Sequence, residues 1–132
     1  MTTKAADGKL PVLVVEDEPS VMSFLQAALE RKGYSVVKAT SGVEALKLLE
    51  KGEFLGVITD MRTPGGVSGA DVHAWVKANR PQLADRVILV TGDTVNEETV
   101  ALLRKTQAPV VEKPFRVQQL LQVVERILGK AV

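Results

Sequence analysis

Short apolar runs alternate along this chain with stretches whose apolar residues recur every three to four positions. Val12-Leu13-Val14-Val15 is an unbroken apolar run that stops at Glu16-Asp17-Glu18-Pro19, and it predicts a buried strand. Pro19 suits the first turn of a helix, where a missing N–H costs nothing. Val21, Phe24, Leu25, Ala28 and Leu29 then keep helical spacing until Gly33 ends the helix. The same alternation continues. Val36-Val37 predicts a second strand, and Ser41 to Glu50 a second helix with Ser41 as its cap and Gly52 past its end. Leu55 to Thr59 predicts a third strand that delivers Asp60, followed by a loop from Met61 to Gly69 and a helix from Ala70 to Asn79, closed before Pro81. Val87 to Val90 predicts a fourth strand ending at Thr91-Gly92-Asp93, and Asn96 to Gln107 a fourth helix. Pro109 to Val111 predicts a fifth strand ending at Lys113-Pro114. The last helix starts near Arg116 and carries Val117, Leu120, Leu121, Val124 and Leu128 in one stripe.

Strand then helix, repeated along the whole chain, predicts an α/β fold: a parallel sheet with helices on both faces. Strands apolar at every position agree, because such strands are covered on both sides. The length of 132 residues fits one domain, expected over residues 10–129, with 1–9 and 130–132 as frayed tails. No internal repeat or low-complexity segment interrupts it.

Composition narrows the function. Seventeen basic and sixteen acidic residues leave a formal net charge of +1, which gives no electrostatic case for direct nucleic-acid binding. The absence of cysteine excludes disulfides, thiolate metal sites and cysteine nucleophiles. A single histidine, His73, excludes His-rich metal sites and argues against a Ser-His-Asp triad. His73 is expected at the surface of the third helix, and Trp75 half-buried along it. The first residues lack the apolar stretch of a signal peptide, and no run reaches the roughly 18 apolar residues of a membrane helix, so a soluble, cytoplasmic protein is expected. Gly65-Gly66 lacks the G-x-x-x-x-G-K-[ST] pattern of a nucleotide loop and reads as a turn.

In open parallel sheets ligands bind beyond the carboxyl ends of the strands. The first strand ends with Glu16 and Asp17, the third with Asp60, the fourth with Thr91 and the fifth with Lys113 and Pro114. Taken singly, each is bland: an acidic helix cap, a strand-end turn residue, an exposed lysine. Together they bring carboxylates, a hydroxyl and an amine to one edge. Crowded carboxylates repel, and a hard divalent cation relieves that repulsion. Phosphoryl transfer to a carboxylate needs a nucleophilic oxygen, a cation and donors for the remaining charge. Asp60 can be the nucleophile, Glu16, Asp17 and Asp60 can carry magnesium, and Lys113 and Thr91 can bind the incoming oxygens.

Glu16-Asp17, Asp60 with Pro64 four residues on, Thr91-Gly92 and Lys113-Pro114-Phe115 resemble the receiver domains of two-component signalling, over roughly Leu10 to Leu128. The resemblance implies a flavodoxin-like five-stranded sheet of order 2-1-3-4-5. It implies phosphorylation by a histidine kinase or phosphotransfer protein, and hydrolysis of the aspartyl phosphate by the domain itself. It also implies a monomer or weak dimer that does not act as a conventional enzyme. By the same analogy the Arg62 backbone carbonyl ligates magnesium, Arg62 and Asp93 border the phosphoryl group and modulate its lifetime, and the Lys113–Pro114 bond is cis. The loop after Asp60 is one residue longer than in the commonest receivers and is similar to that of receivers fused to hybrid histidine kinases. Receivers usually carry an aromatic switch residue three positions before the lysine; here that position is Val110. A phosphorylation-independent interaction module is therefore the main alternative. An aspartate-nucleophile phosphohydrolase of the haloacid-dehalogenase type is disfavoured, because its second Asp is replaced by Arg62. A transcription factor is disfavoured on length.

Overall fold

The computed structural model describes residues 10–92 and 96–129; the expected tails and Asp93 lie outside the described residues. The elements run β1 Val12–Val15, α1 Pro19–Arg31, β2 Val36–Ala39, α2 Gly42–Lys51, β3 Gly56–Asp60, α3 Gly69–Asn79, β4 Val87–Thr91, α4 Glu97–Thr106, β5 Val110–Glu112 and α5 Val117–Leu128. All strand pairs are parallel, in the order β2-β1-β3-β4-β5. This is the parallel sheet that the alternating pattern predicts, in the flavodoxin-like order that the resemblance implies, with its change of winding direction between β1 and β3.

Successive strand residues point to opposite faces and feed two cores. Val12, Val14, Ile58, Ile88 and Val90 pack against Leu25, Leu29, Leu120 and Val124 from α1 and α5. Leu13, Val15, Val57 and Leu89 meet Ala45, Leu49, Val72 and Val76 from α2 and α3. Each of these buried Val, Leu and Ile side chains gains roughly 1.5–3 kcal/mol over an exposed one. The carboxyl ends of the central strands are thereby fixed, and with them whatever those ends carry.

The structure corrects one expectation, the surface placement of His73, and adds three details that periodicity left open. The connection after Asn79 is a short 3-10 helix, Pro81–Arg86, opened by its proline and anchored by buried Leu83. Phe24 is 45% exposed, and Met22 takes the buried place on α1. His73 is not a surface residue: it is only 7% exposed, on a helix whose neighbour is α4. Val110 is 37% exposed, because β5 is the edge strand and its alternation turns Val111 inward and Val110 outward. Trp75 is half-buried against the second core, as expected. Among the described residues no helix is long and apolar enough to cross a membrane.

Candidate functional site

The backbone builds the site before any side chain does. Past β1 the chain keeps one more sheet bond, Glu16 N–H to Ala39 O at 3.0 Å, and Pro19 then starts α1. The turn between them is held by the Glu18 N–H, which donates to Glu16 Oε2 at 3.1 Å. At the end of β3, Asp60 lies in register with Val90 of β4, and Met61 N–H donates to Val90 O at 2.8 Å. Arg62 N–H donates to Asp60 Oδ1 at 3.1 Å, so the carboxylate is oriented by its own loop. Lys113 follows β5, where its N–H donates to Thr91 O at 2.7 Å. The Lys113–Pro114 bond is cis.

Lys113 Nζ lies 2.7 Å from Asp60 Oδ2 and 3.2 Å from Glu16 Oε1. One ammonium thus binds carboxylates from two different strand ends. The two carboxylates differ in access: Glu16 is 2% exposed, whereas the Asp60 side chain keeps 12%. Burial pushes the Glu16 carboxyl above its ordinary range; the Glu18 N–H and Lys113 pull it back, and Asp60 pushes it further up. Burial would lower Lys113, but Asp60 and then Glu16 outweigh it, so its net shift is upward and it remains an ammonium at neutral pH. Thr91, at the end of β4, is buried, and Asp17 is exposed.

The structure therefore brings Glu16, Asp60, Lys113 and the Thr91 backbone together. Among the described residues it does not gather three acidic or imidazole side chains around one point, so Glu16, Asp17 and Asp60 do not form a ready-made cage. Magnesium does not need one: it is commonly held by one or two carboxylates and keeps several waters. The all-oxygen donor set fits it.

Some supporting residues escaped the sequence reading. Thr63 Oγ1 donates to Val67 O at 2.5 Å and accepts from Gly42 N–H at 3.0 Å, tying the loop after Asp60 to the start of α2. Ser68 caps α3: its Oγ accepts from Asp71 N–H, and Asp71 Oδ2 accepts from Ser68 N–H. The S-x-x-D spacing is close to the capping-box signature and would have placed the cap there. At Gly69 a Cβ would lie 2.6 Å from Asp60 O and 3.1 Å from Met61 Cα, so only glycine lets α3 pack behind the acceptor backbone. Phe24 and Phe115 meet with ring centroids 6.2 Å apart, and both line a cavity of about 570 Å³ that reaches Lys113.

Comparison with known proteins agrees with this arrangement. The response regulator receiver domain family matches residues 12–125. The chain belongs to that family. This receiver is 33% identical over 131 residues to the sensor kinase CckA of Brucella abortus, a match covering 96% of this chain but 14% of the kinase. It is 27% identical over 120 residues to the polar-differentiation response regulator DivK of Brucella ovis, covering 91% of this chain and 97% of DivK. The response regulator TrrA of Thermotoga maritima, solved in complex with Mg²⁺ and BeF, superposes with a TM-score of 0.78 at 28% identity, over 90% of this chain and 99% of TrrA. The chain is a receiver domain of two-component phosphorelay signalling.

Proposed function

We propose that this receiver takes a phosphoryl group onto Asp60 from a phosphohistidine of a histidine kinase or histidine phosphotransfer protein. The observation that carries the proposal is the shared ion pair: Lys113 holds Asp60 and Glu16 together, and of those two carboxylates only Asp60 is open to a reagent. An Asp60 oxygen attacks phosphorus while the phosphorus–nitrogen bond to the donor imidazole breaks, leaving a neutral histidine and an aspartyl phosphate. Negative charge then moves from the carboxylate to the phosphoryl oxygens. Lys113 Nζ, already within 2.7 Å of Asp60, needs only a small movement to follow it. The Thr91 hydroxyl supplies a second donor from the adjacent strand end. The Arg62 N–H keeps the other carboxylate oxygen in place.

Glu16, Asp17, Asp60 and the Arg62 backbone carbonyl would hold magnesium, Glu16 and Asp60 being paired with Lys113 as well; the ion would supply positive charge to offset that of the phosphoryl oxygens. The Mg²⁺ complex of TrrA supports the carry-over. Water attacking the phosphorus of the acyl phosphate returns Asp60 to its free form. The Phe24–Phe115 ledge and the cavity beside Lys113 support docking of the donor's histidine-bearing helix next to Asp60. Incubation with acetyl phosphate and magnesium should add the mass of a single phosphoryl group, and Asp60→Asn should abolish the gain. A mass gain that survives this substitution would assign the nucleophile to another residue.

A further inference from the structure

A second cavity, of about 210 Å³, lies between α3 and α4 and shares no residue with the phosphoryl site. From α3 it is lined by Asp71, His73 and Lys77, and from α4 by Leu102, Lys105 and Thr106. Its charge is uneven. The Asp71 carboxylate is committed to the Ser68 N–H at 2.9 Å, and the Thr106 hydroxyl donates to Leu103 O at 2.8 Å. Lys77 and Lys105 have no carboxylate partner among the described residues. Beside them stands His73, more than nine-tenths buried, whose ring makes no hydrogen bond among the described residues. No buried side-chain nitrogen among the described residues is left without a partner, so the His73 ring keeps some access to solvent, and His73 is one of the residues lining the cavity. Two unpaired ammonium groups and an imidazole facing one cavity are the chemistry of an anion site.

α4 gives the cavity a consequence. It has no buried residue, and its apolar hold on the fold is the partial packing of Leu103. Lys77 of α3 and Lys105 of α4 both line the cavity, so an anion seated between them would link the two helices.

We propose that the cavity between α3 and α4 binds a phosphate-class anion, which bridges Lys77, Lys105 and His73 and clamps α4 to α3. The inference does not rest on phosphoryl transfer at Asp60. Burial and Lys77 both hold His73 below its ordinary titration range, and a bound anion would pull it back up.

His73 is the sole histidine of the chain, so its ring gives a unique NMR signal. The test titrates the whole protein, without magnesium, with inorganic phosphate and separately with adenosine diphosphate. Sodium chloride at matched ionic strength is the control. Saturable shifts of the His73 ring and of the amides of residues 97–106 are expected, with tighter binding as pH falls. Lys77→Gln and Lys105→Gln should each weaken binding by roughly threefold, the scale of one exposed charge pair. Tighter binding of the diphosphate would support the proposal with nucleotides as the anion source, and equal binding would support it with free phosphate. Shifts reproduced by chloride would overturn the proposal. So would binding that survives the Lys77→Gln/Lys105→Gln double variant but is lost in Lys113→Ala, which would place the anion at Asp60.

Discussion

Arg62 and His73 show how far one side chain's role depends on which neighbours the fold supplies. Arg62 is exposed, two positions after Asp60, and its backbone N–H already binds the Asp60 carboxylate. A guanidinium anchored there can cover the aspartyl phosphate and slow the entry of water. Arg62→Ala should therefore shorten the phosphorylated lifetime, followed by mass spectrometry after acetyl phosphate is removed; an equal or longer lifetime would rule out shielding. His73 shares the lining of one cavity with Asp71 and Lys77 of its own helix and Lys105 of α4. Burial first, and Lys77 second, lower its pKa from the ordinary value of 6.5. For a group depressed in the fold, the unfolded chain takes up the proton first. Stability should then fall as pH drops through about 6.5, and hold steady above it. Glu16 is shifted the opposite way, and its contribution falls as pH rises above the ordinary carboxylate range, so the two must be separated by difference. The gap in urea midpoint between wild type and His73→Gln, measured in chloride buffers, should change across that window. A constant gap would mean that His73 is not the titrating group.

At the scale of elements, the loop after Asp60 and the start of α3 form one unit. Gly65 and Gly66 adopt φ of 91° and 80°, a region open to glycine at little cost. Thr63 fastens the same loop to α2, so its freedom is confined to the turn rather than spread along its length. Gly69 closes the unit by packing against the Asp60 carbonyl. In Gly69→Ala the backbone behind Asp60 has to move, which should cost about 1–3 kcal/mol in chemical denaturation. It should also slow phosphorylation by acetyl phosphate while Lys113 is unchanged. A variant that loses stability but phosphorylates at the wild-type rate would show that Asp60 does not depend on this contact. Much of this architecture was legible beforehand. Alternating strand and helix periods place Glu16, Asp60, Thr91 and Lys113 at strand ends, and strand ends in a parallel sheet share one edge. The burial of His73, the exposure of Val110 and Phe24, and the anchoring by Thr63 were not legible. Each depends on which element lies alongside, and periodicity within one element carries no record of its neighbour.

Across the whole molecule the helices are held unequally, and that inequality bears on how phosphorylation is read out. α5 buries Leu120, Val124 and Leu128 in the core beneath β1, β3 and β4, while α4 buries nothing. A switch needs an element with two arrangements of similar free energy, and a helix without buried anchors is the cheaper one to move. Val110 cannot supply the aromatic side chain that in most receivers swings inward beside the threonine. It is short and stiff about χ1, and it stands outward on the edge strand rather than filling the core. The path from Asp60 to the surface must then run through groups that touch the site directly. These are the Arg62 to Gly69 segment, which holds Asp60 Oδ1, and Thr91, whose carbonyl holds the Lys113 backbone. Beyond Thr91 the chain leads through Asn96, the N-cap of α4. Addition of beryllofluoride with magnesium, a mimic of the phosphoryl group, should therefore shift amides of residues 62–69, of Thr91, Gly92 and Asn96, and of the first turn of α4. Residues 117–128 should stay near their starting positions, because moving α5 would withdraw three buried side chains from the core, at roughly 1.5–3 kcal/mol each. Shifts along α5 as large as those in the two loops would show that the β5–α5 face switches without an aromatic residue at position 110, and that Val110 does not mute it.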